Sequence, residues 1–196
     1  MRNAATWRAE VWRLWTAHLT HFSLQHAVTN ALVCVIAGHV VENKIGARSL
    51  CAALLLIAPL ISIGLLFWSP QLVQYRGLSG ITMALTVAAI ICLAQKYPSL
   101  RVGVALLAVI ILAKLLVEVI TSTTTPQPLI SVGFAGLPSG VSVEWRVHVL
   151  GVFAGLWLGS LRASAAIRGT QATVENVMDC RTGNISSDNC GKIASH

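Results

Sequence analysis

Charged side chains are scarce in this sequence, and acidic side chains are the scarcest. Charged residues make up 11% of the 196 residues, whereas a soluble domain carries about 25%. A chain so poor in charge cannot solvate an ordinary globular surface or remain disordered. The residues that are present are mostly apolar, with 55% hydrophobic residues and a mean hydropathy of +0.72. This composition excludes a large soluble domain and indicates a helical membrane protein.

Cysteine is too sparse and too scattered to form the disulfide framework of a small secreted protein. Cys34, Cys51 and Cys92 lie in apolar runs, where we expect small core residues. Cys180 and Cys190 lie in a polar tail, where they could pair or bind a metal, but two thiols are a weak signal. The net charge of +7 comes from basic residues scattered between the apolar runs. They indicate topology signals and lipid-headgroup contacts rather than a nucleic-acid partner.

Five apolar runs are predicted to span the membrane, and polar or proline-containing gaps separate them. The predicted regions are an interfacial segment over 1–20, a transmembrane domain over 21–168 and a polar, disordered cytoplasmic tail over 169–196. The first region lacks the apolar core of a signal peptide, and its tryptophans and arginines suit the level of the lipid headgroups. The five runs are 22–41, 50–68, 77–94, 102–120 and 145–161.

Basic residues in the loops predict the orientation of the spans. Six of them lie on one side of a five-span arrangement and two on the other, so we expect the first side to be cytoplasmic. The N-terminus is then outside, although its arginines oppose that position. We therefore expect a further span upstream, which a longer open reading frame would support and an in-frame stop close before Met1 would contradict. The six are Lys44, Arg48, Lys96, Arg101, Arg162 and Arg168, and the two are Arg76 and Arg146.

Four uncharged polar residues occur near the same ends of the odd-numbered spans. They are His26, Asn30, Ser79 and His148. Because odd-numbered spans run in one direction, we expect the four side chains at one depth, just below the outer surface. Polar groups are costly inside a membrane and are therefore functional candidates.

Small residues predict that the third and fifth spans pack closely enough to bring Ser79 to His148. A serine within reach of a histidine is the minimum for an activated hydroxyl nucleophile, and nearby polar side chains could bind an oxyanion. A lone serine in a membrane helix is more often a packing residue, and a lone histidine at a span end is more often interfacial. The small-residue stripes are Gly80, Ala84 and Ala88 on one span, and Gly151, Gly155 and Gly159 on the other.

The other polar residues support weaker alternatives. A histidine group could suggest a metal site, but its members do not share one depth and no acidic residue joins them, so no metal or other cofactor is predicted. Lys114 and Glu118 are four residues apart in the fourth span. We expect them to pair with each other, with a proton relay as the alternative. The histidines of the group are His18, His21, His26 and His39.

Three sets of residues resemble the rhomboid family of intramembrane serine proteases, over about residues 12–160. Gly77-Leu78-Ser79-Gly80 resembles the nucleophile motif, and His148-x-x-Gly151-x-x-x-Gly155 resembles the last rhomboid span. The third set resembles the first loop and second span of the family and comprises Trp12-Arg13, Thr16, His21, His26, Asn30 and Glu42.

The resemblance implies an all-α, rhomboid-like helical bundle that lacks the first of the usual six helices. It implies that Ser79 is the nucleophile and His148 its general base, a dyad without a carboxylate partner. His26, Asn30 and the Ser79 N–H would form the oxyanion hole. The supporting roles would fall to Gly77 and Gly80 for a tight backbone, His21 for the outer loop and Glu42 for structure.

Residues 75–80 and 143–148 are most similar to the rhombosortase branch, which is thought to process proteins with a glycine-rich C-terminal membrane anchor. We therefore expect a serine endopeptidase in the bacterial inner membrane that cleaves substrates near its outer face. Its partners would be the lipid bilayer and proteins held by a transmembrane or glycine-rich C-terminal anchor. The alternatives are an inactive rhomboid-like protein that binds transmembrane helices and a small transporter that uses Lys114, Glu118 and the histidines.

Overall fold

The computed structural model describes residues 10–69, 76–124, 145–161 and 182. Predictions for residues 1–9, for the loop over 125–144 and for the tail, including Cys180 and Cys190, lie outside these ranges except at residue 182. The described chain forms helices in the order α1 (Arg13–Thr16), α2 (Leu24–Ile45), α3 (Ala47–Trp68), α4 (Ser79–Lys96), α5 (Arg101–Thr124) and α6 (Trp145–Ser160), with a 3-10 turn at Pro98–Leu100.

The predicted all-α membrane architecture is confirmed, and each predicted span coincides with one helix. Four helices, α2 to α5, are long and apolar enough to cross a membrane. The fifth predicted span corresponds to α6, which has 16 residues. Large apolar side chains point outward from the bundle, as Leu106 and Ile110 of α5 do at 60% and 63% exposure. Such a surface is stable in lipid and costly in water, so the protein is an integral membrane protein.

A single glycine joins α2 to α3, where the sequence suggested a longer polar gap over residues 42–48. The α2 helix continues to Ile45, and α3 begins at Ala47. Gly46 between them has a φ of 84°, and its N–H donates to Glu42 O at 2.7 Å. Only glycine adopts this left-handed conformation without strain. The polar residues of the gap therefore extend the helix, and one residue makes the corner.

The α1 segment packs against α3 around the proline inside that helix. Pro59 has no N–H, so the carbonyl of Leu55 lacks the donor that a helix normally supplies. Trp15 Nε1 donates to this carbonyl at 2.9 Å. His18 is 1% exposed, and its Nε2 lies 2.9 Å from Ala58 O. This segment is thus anchored to the bundle by the hydrogen bonds of Trp15 and His18.

The α4 helix lies at the centre of the bundle and packs against α6 and α2. Its buried residues run from Gly80 to Leu85 and continue with Ala88, Ala89, Ile90 and Cys92. Cys92 is a core residue as predicted, whereas Cys51 is exposed on α3, so that part of the cysteine prediction is wrong. A thiol is small and apolar enough to face lipid, and the apolar run around Cys51 does not reveal which face of α3 is buried.

The glycine stripe of α6 packs directly on the small residues of α4, as the sequence predicted. A Cβ added at Gly151 would lie 2.4 Å from Gly80 O, and one added at Gly155 would lie 2.5 Å from Ala84 O. No real Cβ approaches a backbone oxygen this closely, so glycine is required at both positions. The contacts advance in the same direction along both helices, so α4 and α6 are parallel.

Candidate active site

Ser79 is the first residue of α4 and is half-buried. The two residues before it are held by the N-terminal segment. Gly77 has a φ of 135° and donates its N–H to Ala17 O at 3.1 Å. The N–H of Leu78 donates to His21 Nε2 at 3.4 Å. A left-handed glycine and two backbone hydrogen bonds therefore fix the turn from which the serine projects.

His148 lies in the first turn of α6 and is 5% exposed. The contacts between α6 and α4 determine the level of His148 in the bundle. Val147 O would lie 3.2 Å from a Cβ on Gly80, and Gly151 faces the carbonyl of the same glycine. The residues on both sides of His148 in α6 thus touch the residue that follows Ser79. The beginnings of α4 and α6 therefore lie close together, as the small residues predicted.

A carboxylate contacts His148, and this contradicts the expectation of a histidine without an acidic partner. Glu118 Oε2 lies 2.7 Å from His148 Nδ1. The other oxygen, Oε1, accepts from Lys114 Nζ, so the predicted pairing of Lys114 with Glu118 is confirmed. Glu118 is 9% exposed, and a buried carboxylate is tolerated only when both oxygens are satisfied in this way.

The sequence could not reveal this contact because it depends on how α5 is rotated. The α5 helix is largely lipid-facing, and the side chains that the described part of it buries are Leu115 and Glu118. An i, i+4 lysine satisfies Glu118 locally, which made a self-contained ion pair the natural interpretation. The available signal was the depth of Glu118, because it lies one turn from the end of its span, at the same end as His148.

His26 and Asn30 lie at the start of α2, on the side of that helix that faces α4. Ser23 caps the helix by accepting the N–H of His26 at 3.2 Å. His26 Cε1 would lie 3.5 Å from a Cβ on Gly77, and its ring packs edge-on against His21 at 5.4 Å. These contacts place His26 beside the serine turn.

Asn30 reaches α4 through Thr82, a residue that the sequence did not single out. The Thr82 hydroxyl lies 3.1 Å from Asn30 Oδ1 and 2.9 Å from Ser79 O. Because both oxygens can only accept, the hydroxyl shares its one proton between them. Asn30 Nδ2 donates to His26 O at 3.0 Å and retains a second proton. Thr82 therefore ties the asparagine to the first turn of the serine helix.

The structure thus gathers Ser79, His148, His26 and Asn30 at one end of the bundle, with Gly77, Gly80 and His21 around the serine. Among the described residues, no hydrogen bond joins Ser79 Oγ to His148, which is common for a nucleophile and base before substrate binds. His26 Nδ1 is buried and has no hydrogen-bond partner within the described ranges. Glu42, for which the resemblance implied a structural role, lies near the opposite end of α2.

The opposite end of the bundle is held by a lysine. Lys44 Nζ donates to Gln95 Oε1 at 2.9 Å and to Gly159 O at 2.7 Å. These two bonds connect the last turn of α2 to the last turns of α4 and α6. The three helices that carry the candidate site are therefore fixed to one another at both ends.

Comparison with known families agrees with this geometry. The profile of the rhomboid domain matches residues 8–165, which is well over half of the chain. The chain therefore belongs to the rhomboid family, whose members are generally intramembrane serine proteases acting on membrane proteins within the bilayer. Among curated proteins, none matches the chain significantly.

Proposed function

We propose that this rhomboid protein is an active serine endopeptidase, with Ser79 as the nucleophile and His148 as its general base. The observation that carries the proposal is the contact of α6 with Gly80, which holds a buried, oriented imidazole next to the serine turn. Because Nδ1 faces Glu118, the free ring nitrogen that can take a proton is Nε2.

The proposed reaction proceeds in two steps. Ser79 Oγ attacks the substrate carbonyl carbon while its proton moves to His148 Nε2, and the carbonyl π electrons move to the oxygen. The C–N bond then breaks, the amine leaves with the proton from Nε2, and an acyl-enzyme remains. Water repeats the sequence on the ester, which releases the new carboxyl terminus and restores the serine. Substrate must unwind locally first, because a helical amide is shielded by neighbouring turns.

The oxyanion would be stabilised by His26, Asn30 and the backbone N–H of Ser79. His26 offers a buried ring nitrogen without a partner among the described residues, and Asn30 offers its second amide proton. His26 lies beside the serine turn at Gly77, and Asn30 is linked to the serine helix by its hydrogen bond with Thr82. Loss of one oxyanion donor lowers the rate by about 10²–10³-fold in serine hydrolases. We expect a decrease of this size for Asn30→Ala.

The proposed substrates are proteins whose C-terminal anchor combines a glycine-rich segment, an apolar span and a basic cluster, as in the rhombosortase branch. The proposal rests on the similarity of residues 75–80 and 143–148 to that branch. Two matched substrates test it, one with such an anchor and one with an ordinary transmembrane helix. Preference for the first supports the branch, and equal cleavage of both contradicts it while leaving the protease assignment intact.

We place the site at the outer face of a bacterial inner membrane, with the end that carries Lys44 and Lys96 in the cytoplasm. The distribution of basic residues supports this orientation. Arg76→Cys and Lys96→Cys variants in a background without other cysteines test it with a membrane-impermeant maleimide. Labelling of the first variant alone in intact cells is expected, and labelling of the second alone would reverse the orientation.

A fluorophosphonate probe tests the catalytic assignment, because it reacts with an activated serine hydroxyl. We expect the wild type to be labelled and Ser79→Ala and His148→Ala to remain unlabelled. Ser99→Ala is the matched control, since Ser99 is exposed in the 3-10 turn away from the site. Equal labelling of wild type and Ser79→Ala would refute the assignment.

A wild type that is not labelled would instead favour the inactive, helix-binding alternative. The transporter alternative depends on Glu118, and both oxygens of that carboxylate are engaged by Lys114 and His148. The geometry of the fourth span therefore gives that alternative no support.

A further inference from the structure

The contact between Glu118 and His148 assigns a role to a residue outside the usual rhomboid dyad. We propose that Glu118 is a positioning residue, which holds His148 with the proton on Nδ1 and Nε2 directed to the serine turn. This inference rests on the proposed function of Ser79 and His148. It adds a carboxylate, anchored by Lys114, to the machinery of the site.

The tautomer follows from the chemistry of the contact. A carboxylate oxygen accepts and cannot donate, so a hydrogen bond of 2.7 Å between Glu118 Oε2 and His148 Nδ1 requires the proton on Nδ1. A neutral imidazole carries one proton, so Nε2 is then unprotonated and basic. Without Glu118 the ring could place its proton on Nε2, where it could not accept the proton of a serine.

Lys114 keeps the carboxylate in place and charged. It occupies Oε1 of Glu118 and thereby leaves Oε2 to the histidine. Lys114 is itself partly exposed, at 39% of its side chain, whereas Glu118 and His148 are at 9% and 7%. The charge of the buried Glu118 carboxylate is therefore balanced by Lys114, whose side chain reaches the edge of the bundle. A buried charge is tolerated when it is paired in this way.

The same contact acts during the reaction. When Ser79 transfers its proton to Nε2, the imidazole becomes a cation in a site that is largely shielded from water. Glu118 then faces this cation through an ionised hydrogen bond and does not itself take the proton. Glu118 is the anionic partner that the described residues provide for the imidazolium.

Replacement of Glu118 by glutamine tests the role with little change of shape. We expect Glu118→Gln to lower kcat by about 10²–10⁴-fold with KM nearly unchanged, because the tautomer and not substrate binding is affected. Glu118→Asp keeps the charge and should recover part of the rate. Leu112→Ala is the control on the same helix, since Leu112 is exposed on the lipid-facing side of α5, and it should retain the wild-type rate.

A spectroscopic measurement separates positioning from mere support of the fold. In ¹⁵N-histidine-labelled protein, the His148 signal, assigned with His148→Asn, should report the Nδ1–H form in the wild type and lose that preference in Glu118→Gln.

If Glu118→Gln does not fold, Lys114→Met/Glu118→Met replaces the ion pair with apolar side chains, and it should fold but cleave slowly. Wild-type kcat in folded Glu118→Gln, or an unchanged tautomer, would overturn the inference.

Failure of the inference can be distinguished from failure of the proposed function. Loss of probe labelling in Ser79→Ala together with full activity in Glu118→Gln would remove the role of Glu118 and retain the protease. Absence of labelling in the wild type would remove both roles in catalysis.

Discussion

A methyl group added at Gly151 is a severe test of how the site is assembled. In Gly151→Ala the new Cβ would lie 2.4 Å from Gly80 O and 2.9 Å from Met83 Cβ. Ordinary contacts are about 3.5–4.0 Å, so the two helices must separate by about 1 Å at this point. The clash involves backbone and a Cβ atom, which cannot rotate away. The substitution therefore displaces α6 at a point one turn from His148.

The magnitude of the effect follows from that displacement. Overpacking of a close contact costs about 1–3 kcal/mol of unfolding free energy. A shift of about 1 Å in a reacting group can lower the rate by about 10²-fold. We therefore expect Gly151→Ala to be labelled by the fluorophosphonate probe about 10²-fold more slowly than the wild type and to have a lower Tm.

Two other glycines control this experiment. Gly155→Ala meets Ala84 O at 2.5 Å, so it should lower the Tm similarly but affect labelling less, because it lies a further turn from His148. Gly103→Ala meets nothing within 4 Å on α5, and it should leave the labelling rate unchanged. A Gly151→Ala protein with wild-type Tm and labelling rate would show that the close packing of α4 and α6 is not what positions the histidine.

Three further substitutions or conditions test the supports of the site. Trp15→Phe removes the donor to Leu55 O and should cost about 1 kcal/mol by thermal unfolding in detergent, whereas Trp12→Phe, at an exposed side chain, should cost nothing measurable. Burial lowers the pKa of His18 from 6.5, so below that pH the unfolded chain binds more protons than the folded chain. The Tm should therefore be highest above about pH 6.5 and decrease as the pH falls, and His18→Gln should flatten this decrease. Gly77→Ala forces a side chain to a φ of 135°, which costs about 1–3 kcal/mol, and probe labelling should slow; an unaffected Tm and rate would contradict the role of this turn.

The spans could be predicted from the sequence because lipid imposes a simple pattern of apolar length and polar interruption. The limits of the five predicted apolar runs agree with those of α2 to α6 to within a few residues at most ends. The corner at Gly46 was missed because hydropathy places polar residues between spans, whereas here they continue the helix to its glycine. Hydropathy measures the environment of a side chain and not the path of the backbone.

The grouping of His26, Asn30, Ser79 and His148 could also be predicted, because the direction of each span fixes the end at which its polar residues lie. The closeness of α4 and α6 followed from small residues at helical spacing. The contacts of Glu118 with His148 and of Thr82 with Asn30 could not be predicted. Each contact depends on how a helix is rotated about its own axis. The sequence of α5 does not reveal that rotation, because few residues in the described part of this helix are buried.

Cleavage in a reconstituted membrane tests the central claim most directly. The protein and a transmembrane substrate with a glycine-rich C-terminal anchor are placed in liposomes, and the products are identified by mass spectrometry. We expect two fragments whose summed mass exceeds that of the substrate by one water, formed by the wild type and absent with Ser79→Ala and His148→Ala. Fragments formed equally by Ser79→Ala would contradict the account.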